Sequence, residues 1–382
     1  MDFELSEQHL ALQKMVRDFA EKEIEPVVYE FDEAEEFPLE IINKMGELGL
    51  FGLPFPQEYG GGGADHLSYA ILIEELGRID LGVALAVDAN VTLAGYPLCH
   101  FGSEEQKQTW LVPLAEGKIL GAFGLTEPGA GSDAGGTATK AALQDGEWVI
   151  NGTKCFITNS GAPNCTFVIV SAVTGQRADG KKEISNFIIP RGTPGYTISK
   201  PYSKLGFHTS DTRELSFDNC RVPRENLLGE RGAGFKQILT TLDEGRLTIA
   251  AMSVGMAQRC LEISLDYAKE RVQFGKPIFD FQATQFKLVD MAVDVELARL
   301  ITYKAALLEG QGRLSEFTKE VAMAKLFASE ISQKAAASAV QIHGGLGFMR
   351  ECPASRFYRD CRLLTIGEGT SEIMRLVIAR HL

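Results

Sequence analysis

The sequence predicts an α+β fold in three consecutive parts: a helical domain over 1–120, an antiparallel β-domain over 121–228 and a four-helix bundle over 229–382. Two observations carry this reading. Apolar residues recur at three- and four-residue spacing at both ends of the chain, whereas the middle alternates with period two and is rich in β-branched and aromatic residues. At 382 residues the chain is also long enough for two or three domains around a large core.

In the first part Ser6 heads a helix beginning Glu7-Gln8-His9-Leu10. Further helices fit Leu39–Leu48, His66–Arg78 and Ser103–Ala115, with Tyr59-Gly60-Gly61-Gly62-Gly63 as a loop between apolar segments. In the middle part Glu147–Ile150, a turn at Asn151-Gly152 and Thr153–Thr158 read as a β-hairpin, because Asn-Gly suits a two-residue turn with positive φ. Strands follow at Thr166–Val173, Ile184–Pro190, Tyr196–Lys200 and Arg213–Phe217. The last part holds helices at Phe235–Arg271, Gln282–Gly310, Ser315–His343 and Thr370–Arg380, read as an antiparallel bundle.

Composition narrows the class. The chain is 45% hydrophobic and 23% charged, as in soluble globular proteins. Its net charge of −13 argues against a nucleic-acid footprint or a polybasic membrane anchor. Seven scattered cysteines with no Cys-x-x-Cys pair fit a reducing compartment better than a disulfide framework or a zinc site. Met1-Asp2-Phe3-Glu4 lacks the basic start and apolar core of a secretory signal, and no run is expected to reach the ~18–20 apolar residues that span a bilayer. The expectation is a cytoplasmic protein with no membrane insertion.

Four stretches carry candidate chemistry. In Thr365-Ile366-Gly367-Glu368-Gly369-Thr370 a carboxylate sits between two glycines just before a helix; it is either a solvated turn or a base presented to a ligand. Ala122-Phe123-Gly124-Leu125-Thr126-Glu127-Pro128-Gly129-Ala130-Gly131-Ser132-Asp133 leaves a strand for a glycine-rich loop. Such a loop either connects strands or offers N–H groups to a phosphate or a flavin edge; it is neither a Walker loop nor a Rossmann fingerprint. In Arg271-Val272-Gln273-Phe274-Gly275-Lys276-Pro277 a helix is expected to end with Gly275 as cap, unless the basic and aromatic residues grip a phosphate and a ring. Gln341-Ile342-His343-Gly344-Gly345-Leu346-Gly347-Phe348 ends another helix in glycines that permit close approach.

Together, in this order and spacing, the four stretches resemble the acyl-CoA dehydrogenase family over essentially the whole chain. The resemblance implies FAD between the β-domain and the bundle, a homotetramer, and electrons passed to an electron-transfer flavoprotein. It places Phe123, Leu125 and Thr126 along the flavin, Ser132 at the flavin phosphates or the CoA, and Phe156 and Thr158 at the other flavin edge. Arg271, Gln273 and Phe274, with Gln341 and Gly345, would reach FAD bound mainly by a neighbouring subunit; Thr370 and Glu372 would also lie near FAD. Glu368 matches the catalytic base that removes the Cα proton of an acyl thioester while hydride leaves Cβ for flavin N5. Its own backbone N–H would help polarise the thioester carbonyl. Some relatives carry the base on the first bundle helix, at the place held here by Gly245. Asp243 and Arg246 would flank the CoA and acyl entrance, the plainer reading being a helix-surface ion pair. Gly367 and Gly369 flank the base at the substrate.

Two departures from the family bear on substrate. Gly367 replaces the tyrosine of many relatives, which widens the pocket for a branched or alicyclic acyl group such as cyclohexanecarboxyl. Asp88 falls where relatives form the floor of the acyl cavity. A carboxylate there suggests a short acyl group stopping above it, or a second base in the 1,4-dehydrogenation of a cyclohexene-carboxyl-CoA, the plainer reading being a hydrogen-bonded Asp. An acyl-CoA oxidase and a non-catalytic thioester-binding helical scaffold are the rival readings.

Overall fold

The computed structural model describes residues 4–309 and 313–382. Its first part is helical: α1 (Glu7–Phe19), α2 (Val28–Ala34), α3 (Leu39–Glu47), α4 (His66–Ile79), α5 (Leu81–Asp88), α6 (Tyr96–Phe101), α7 (Glu104–Gln106) and α8 (Val112–Ala115). The Ser6 side chain accepts from the His9 N–H and so caps α1 where the sequence placed its start. Ser103 and Gln106 form a reciprocal capping box at the start of α7. The stretch from Leu81 to Phe101 is one near-continuous helix, with π-helical Ala89–Gly95 joining α5 to α6. Contrary to expectation this run is long and apolar enough to cross a membrane by length and composition, yet 89% of its most apolar 18-residue window is buried inside the protein. Its apolar character serves the core.

The middle part is an eight-stranded sheet of β1 (Leu120–Gly124), β2 (Lys140–Gln144), β3 (Glu147–Thr158), β4 (Cys165–Gln176), β5 (Lys182–Pro190), β6 (Tyr196–Ile198), β7 (Thr212–Pro223) and β8 (Leu227–Leu228), in the order β6-β7-β3-β2-β4-β5-β8. It is not wholly antiparallel, since β1 runs parallel to β4. The hairpin expected at Asn151-Gly152 is absent: β3 passes straight through, and the ladder to β7 absorbs Gly152 as a register shift. The hairpin turn lies earlier, at Asp145-Gly146, where both φ values are positive (54° and 88°) and β2 pairs with β3. Two Asx-Gly pairs compete in this segment, and only the long partner strand β7 decides that the second becomes a bulge.

The last part contains α9 (Gly234–Glu270), a small hairpin of β9 (Val272–Gln273) and β10 (Lys276–Pro277), α10 (Gln282–Glu309), α11 (Leu314–His343), α12 (Pro353–Leu364) and α13 (Ser371–Ala379). The expected end of α10 at Gly310 lies outside the described residues. The fourth helix packed on α9 and α11 is α12, which the periodicity did not reveal; α13, expected in that role, packs on α11. The apolar residues of α12 form one buried row of Ala354, Phe357, Cys361 and Leu364, but buried Arg356 and Asp360 beside them leave the helix polar on average. The corner after α9 also differs: the helix stops at Glu270, and Phe274-Gly275 (φ 52° and 81°) forms the β9–β10 turn instead of a helix cap. Helix α9 is the spine of the molecule, packing against α4, α10, α11 and α12.

Candidate active site

Glu368 lies in the turn between α12 and α13, with φ of 54°, in the left-handed region that costs a non-glycine residue about 1 kcal/mol or more. The turn is held from outside. Gly367 N–H donates to the Leu363 carbonyl at 2.8 Å and Ser371 N–H to the Thr365 carbonyl at 3.2 Å. Lys325 Nζ on α11 donates to the Gly369 carbonyl at 2.5 Å, and Arg246 Nε on α9 reaches the Glu368 carbonyl at 3.5 Å. Thr370 caps α13 by accepting from the Ile373 N–H, with Glu372 exposed in the first turn.

Both carboxylate oxygens of Glu368 are buried, and among the described residues only the neighbouring Asp88 carboxyl can share a proton with them. Among the described residues its backbone N–H also has no protein acceptor. The carboxyl occupies the hollow that Gly245 leaves on α9: a Cβ built at Gly245 would stand 1.8 Å from Glu368 Oε2. A side chain at 245 and this position of Glu368 therefore exclude one another.

Asp88 faces Glu368 from the end of α5 and is fully buried. Its Oδ1 accepts from the Thr248 hydroxyl at 2.6 Å and from the Thr92 hydroxyl, whereas among the described residues Oδ2 has no partner besides the adjacent Glu368 carboxyl. Burial raises the Asp88 carboxyl to about 6. Burial, and then the charge of Asp88, push Glu368 well above the ordinary carboxylate range, while Lys325 and Arg246 pull it back. Two adjacent buried acids cannot both ionise freely, so the pair titrates as a unit. Asp88, expected at the floor of an acyl cavity, thus lies beside the Glu368 carboxyl. The buried Tyr69 hydroxyl of α4, also without a partner, lies in the field of both acids.

Asp243 and Arg246 form an ion pair of 2.5 Å that is largely buried, with Thr318 donating to Asp243 at 2.7 Å. The helix ion pair considered from sequence is present, but it packs under the Glu368 turn and not on the surface. Nearby, His66 of α4 is clamped between Glu244 of α9 (3.2 Å at Nε2) and Glu309 of α10 (2.7 Å at Nδ1). These carboxylates take opposite ring nitrogens, which makes an imidazolium clamp.

The glycine-rich loop leaves β1 with Phe123 buried, Leu125 and Thr126 half-buried, and Ser132 exposed. Buried Glu127 staples it: its carboxylate accepts from Ala138 N–H at 2.6 Å, Thr139 N–H at 3.0 Å and Lys154 Nζ at 2.8 Å, while Lys154 also donates to the Leu125 carbonyl at 2.9 Å. Against its burial, these donors hold Glu127 down at about 2. Gly129 and Gly131 face open space. On β3 a register shift between Lys154 and Ile157 puts Phe156 at φ 60°, with its ring 65% exposed and 5.3 Å from Tyr202; Thr158 follows, half-buried. An open loop of free backbone edge beside a projecting ring fits the FAD that the resemblance implies.

Arg271, Gln273, Phe274, Gln341 and Gly345 are all exposed on the single chain, Phe274 at 95%. Gly367 is half-buried, and a Cβ there would meet only Leu363 at ordinary contact distances of 3.6–3.8 Å, so this glycine is not demanded by backbone strain. Gly369 has φ of 112°, where a Cβ would lie 2.6 Å from Met374. Sequence reasoning missed Lys325, Tyr69, Thr248 and the Glu127–Lys154 staple. For Lys325 a signal existed: it sits in the buried phase of Val321, Ala324 and Ala328.

Comparison with known proteins adds to this geometry. Three family models match in succession: Acyl-CoA dehydrogenase, N-terminal domain over residues 6–118, middle domain over 122–220 and C-terminal domain over 232–382. The chain is 55% identical over 382 residues to the probable acyl-CoA dehydrogenase YngJ of Bacillus subtilis (strain 168), covering 100% of each. It is 44% identical to the solved butyryl-CoA dehydrogenase of Megasphaera elsdenii, with a TM-score of 0.96 over 100% of this chain and 99% of that one. An acyl-CoA dehydrogenase of Bacillus anthracis solved in complex with FAD is 37% identical, with a TM-score of 0.93 over 99% of this chain and 67% of that one.

Proposed function

The chain belongs to the acyl-CoA dehydrogenase family, and on that premise we propose that it desaturates a short-chain, branched or alicyclic acyl-CoA with Glu368 as the Cα base. One observation carries the assignment of the base. Glu368 is a buried carboxyl whose oxygens, among the described residues, have no partner besides the neighbouring acid Asp88, and the same residue carries a free backbone N–H. That combination accepts a proton with the side chain and polarises a thioester carbonyl with the main chain.

Bound FAD would supply the hydride-accepting chemistry, and an electron-transfer flavoprotein would take up the electrons. Phe123, Leu125, Thr126, Ser132, Phe156 and Thr158 would hold it within the chain. The exposed Arg271, Gln273, Phe274, Gln341 and Gly345 would hold the FAD of a neighbouring subunit, beside Thr370 and Glu372. Burial keeps Glu368 weakly acidic in the ground state, so the ionised fraction grows as pH rises through the pair's titration. An acyl chain that excludes the remaining water raises its proton affinity further and improves its match to a Cα proton. A homotetramer in a cytoplasmic setting suits both the apolar stripe that α10 exposes and the seven unpaired cysteines.

The test is anaerobic flavin bleaching by substrate. Glu368→Gln should keep its flavin while bleaching slows by roughly 10²–10⁴-fold, the range for losing a positioned base. A colourless protein after gentle purification refutes the dehydrogenase reading, and fast bleaching by the variant refutes the base.

Asp88 favours a second reading. Two acids side by side, one with a free oxygen, suit a ring substrate that loses protons at two positions, as in 1,4-dehydrogenation of a cyclohexene-carboxyl-CoA. A panel of butyryl-CoA, cyclohexanecarboxyl-CoA and cyclohexene-carboxyl-CoA separates the cases. Preference for butyryl-CoA removes both the wide-pocket argument from Gly367 and the second-base argument from Asp88. Peroxide formed in step with turnover would make the enzyme an oxidase, and FAD that no acyl-CoA bleaches would leave a binding scaffold.

A further inference from the structure

We propose that Lys325, which touches neither of the acids directly, is a positioning residue that holds the Glu368 turn in register and keeps the base ionisable. The proposal rests on the assignment of Glu368 as the base.

Lys325 is fully buried on α11, where its neighbours on the same face are Val321, Ala324 and Ala328. An ammonium there is costly unless its protons are taken up, and a Met or Leu would pack equally well. Yet Lys325 makes no ion pair within 4 Å among the described residues, and its one hydrogen bond goes to the Gly369 carbonyl at 2.5 Å. Its place is therefore explained by what it grips. Glu368 and Gly369 are consecutive residues at positive φ, 54° and 112°. Such a turn persists only when its surroundings over-determine it. Lys325 holds one of the two carbonyls and Arg246 approaches the other, so cations on α11 and α9 fix the two peptides that aim the carboxyl into the Gly245 hollow.

The same placement has an electrostatic effect. The charged and titratable groups around Glu368 are Asp88 on α5, Lys325 on α11, Arg246 on α9 and the Tyr69 hydroxyl on α4. Asp88 and burial oppose its ionisation; only the two cations favour it. Arg246 is already engaged by Asp243, so Lys325 is the cation whose charge is least neutralised at short range. Burial, aided by Arg246, lowers Lys325 itself to about 8, with Glu368 and Glu372 when ionised acting against that shift.

The experiment uses FAD-loaded Lys325→Met and Lys325→Arg beside Glu368→Gln. Two readouts are taken: the carboxyl infrared band that Glu368→Gln abolishes, titrated without substrate, and the pH profile of anaerobic flavin bleaching. In Lys325→Met the band should titrate about one pH unit higher, a tenfold gain in proton affinity. The acid limb of the rate profile should move with it, and the limiting rate should fall roughly 10–100-fold through misplacement of the carboxyl, with substrate KM little changed. Lys325→Arg should restore the titration but not the full rate. An unmoved band and limb in Lys325→Met, or a loss confined to FAD content and KM, overturns the proposal. If Lys325→Met does not fold, Lys325→Gln is read in its place by the same criteria. If Glu368→Gln still bleaches fast, the base assignment has failed; if it does not bleach and Lys325→Met matches the parent enzyme, only the role of Lys325 has failed.

Discussion

Gly245 and Glu368 define one another. The glycine leaves a hollow on a long buried helix, and the carboxyl from a distant turn fills it. A single methyl group at 245 would overlap an oxygen 1.8 Å away, so either the carboxyl or the helix must move. Gly245→Ala is expected to retain FAD and fold while flavin bleaching slows by about 10²-fold, the cost of displacing a reacting group by about an ångström. Stopped-flow bleaching checks this, and an unchanged rate would show that the carboxyl works from another position. The proposal of Glu368 as base came from Gly-Glu-Gly and its companion motifs. That Asp88 stands against Glu368 was not legible there, because 280 positions in the chain separate two residues whose proximity arises only where α5 and the α12–α13 turn meet on α9.

At the scale of elements, the His66 clamp ties α4, α9 and α10 together. Burial disfavours the imidazolium, but the Glu244 and Glu309 carboxylates more than compensate, raising it from 6.5 to about 10. A raised cationic pKa contributes stability that is full below about 6.5 and is lost as pH climbs through about 10. His66→Gln should therefore lower stability on the order of 2 kcal/mol near pH 6, since it strands buried Glu244, with the deficit shrinking toward pH 10. Thermal melts of both proteins across that range test the sign; a deficit that grows with pH would contradict the clamp. Elements with strong local signals were readable: the capped α1 and α4, the long α9 and α11, and strands β4 and β5. The Asn151-Gly152 hairpin was not, because turn chemistry at two Asx-Gly sites is locally equivalent and pairing with β7 chose between them. Helix α12 escaped because its buried face carries Arg356 and Asp360.

Across the whole molecule, α10 leaves Phe286, Val289, Val293, Leu297 and Leu300 exposed at three- and four-residue spacing. A stripe of that kind calls for cover, and other copies of the chain supply it in the proposed tetramer. Light scattering should give four times the 41.7 kDa of one chain, and Val293→Glu should lower the assembly state. A monomer at micromolar concentration would leave the exposed Arg271–Phe274 hairpin without a partner's FAD to contact. Within one chain the three parts are already fastened together. Asp32 of α2 binds His208 at 3.2 Å and Arg359 of α12 at 2.5 Å, while Asp360 accepts from the Phe207 N–H at 2.7 Å.

By itself the sequence determined the helical, β and helical order, the family, and the identity of the proposed base. These depend on periodicity and on short motifs whose residues act within a few positions of one another. Tertiary structure alone decided that Asp88 and Glu368 share a buried site, that Gly245 makes room for the carboxyl, and that Lys325 grips the turn. Burial and long-range contact set proton affinity and aim, and neither is a property of any segment read alone.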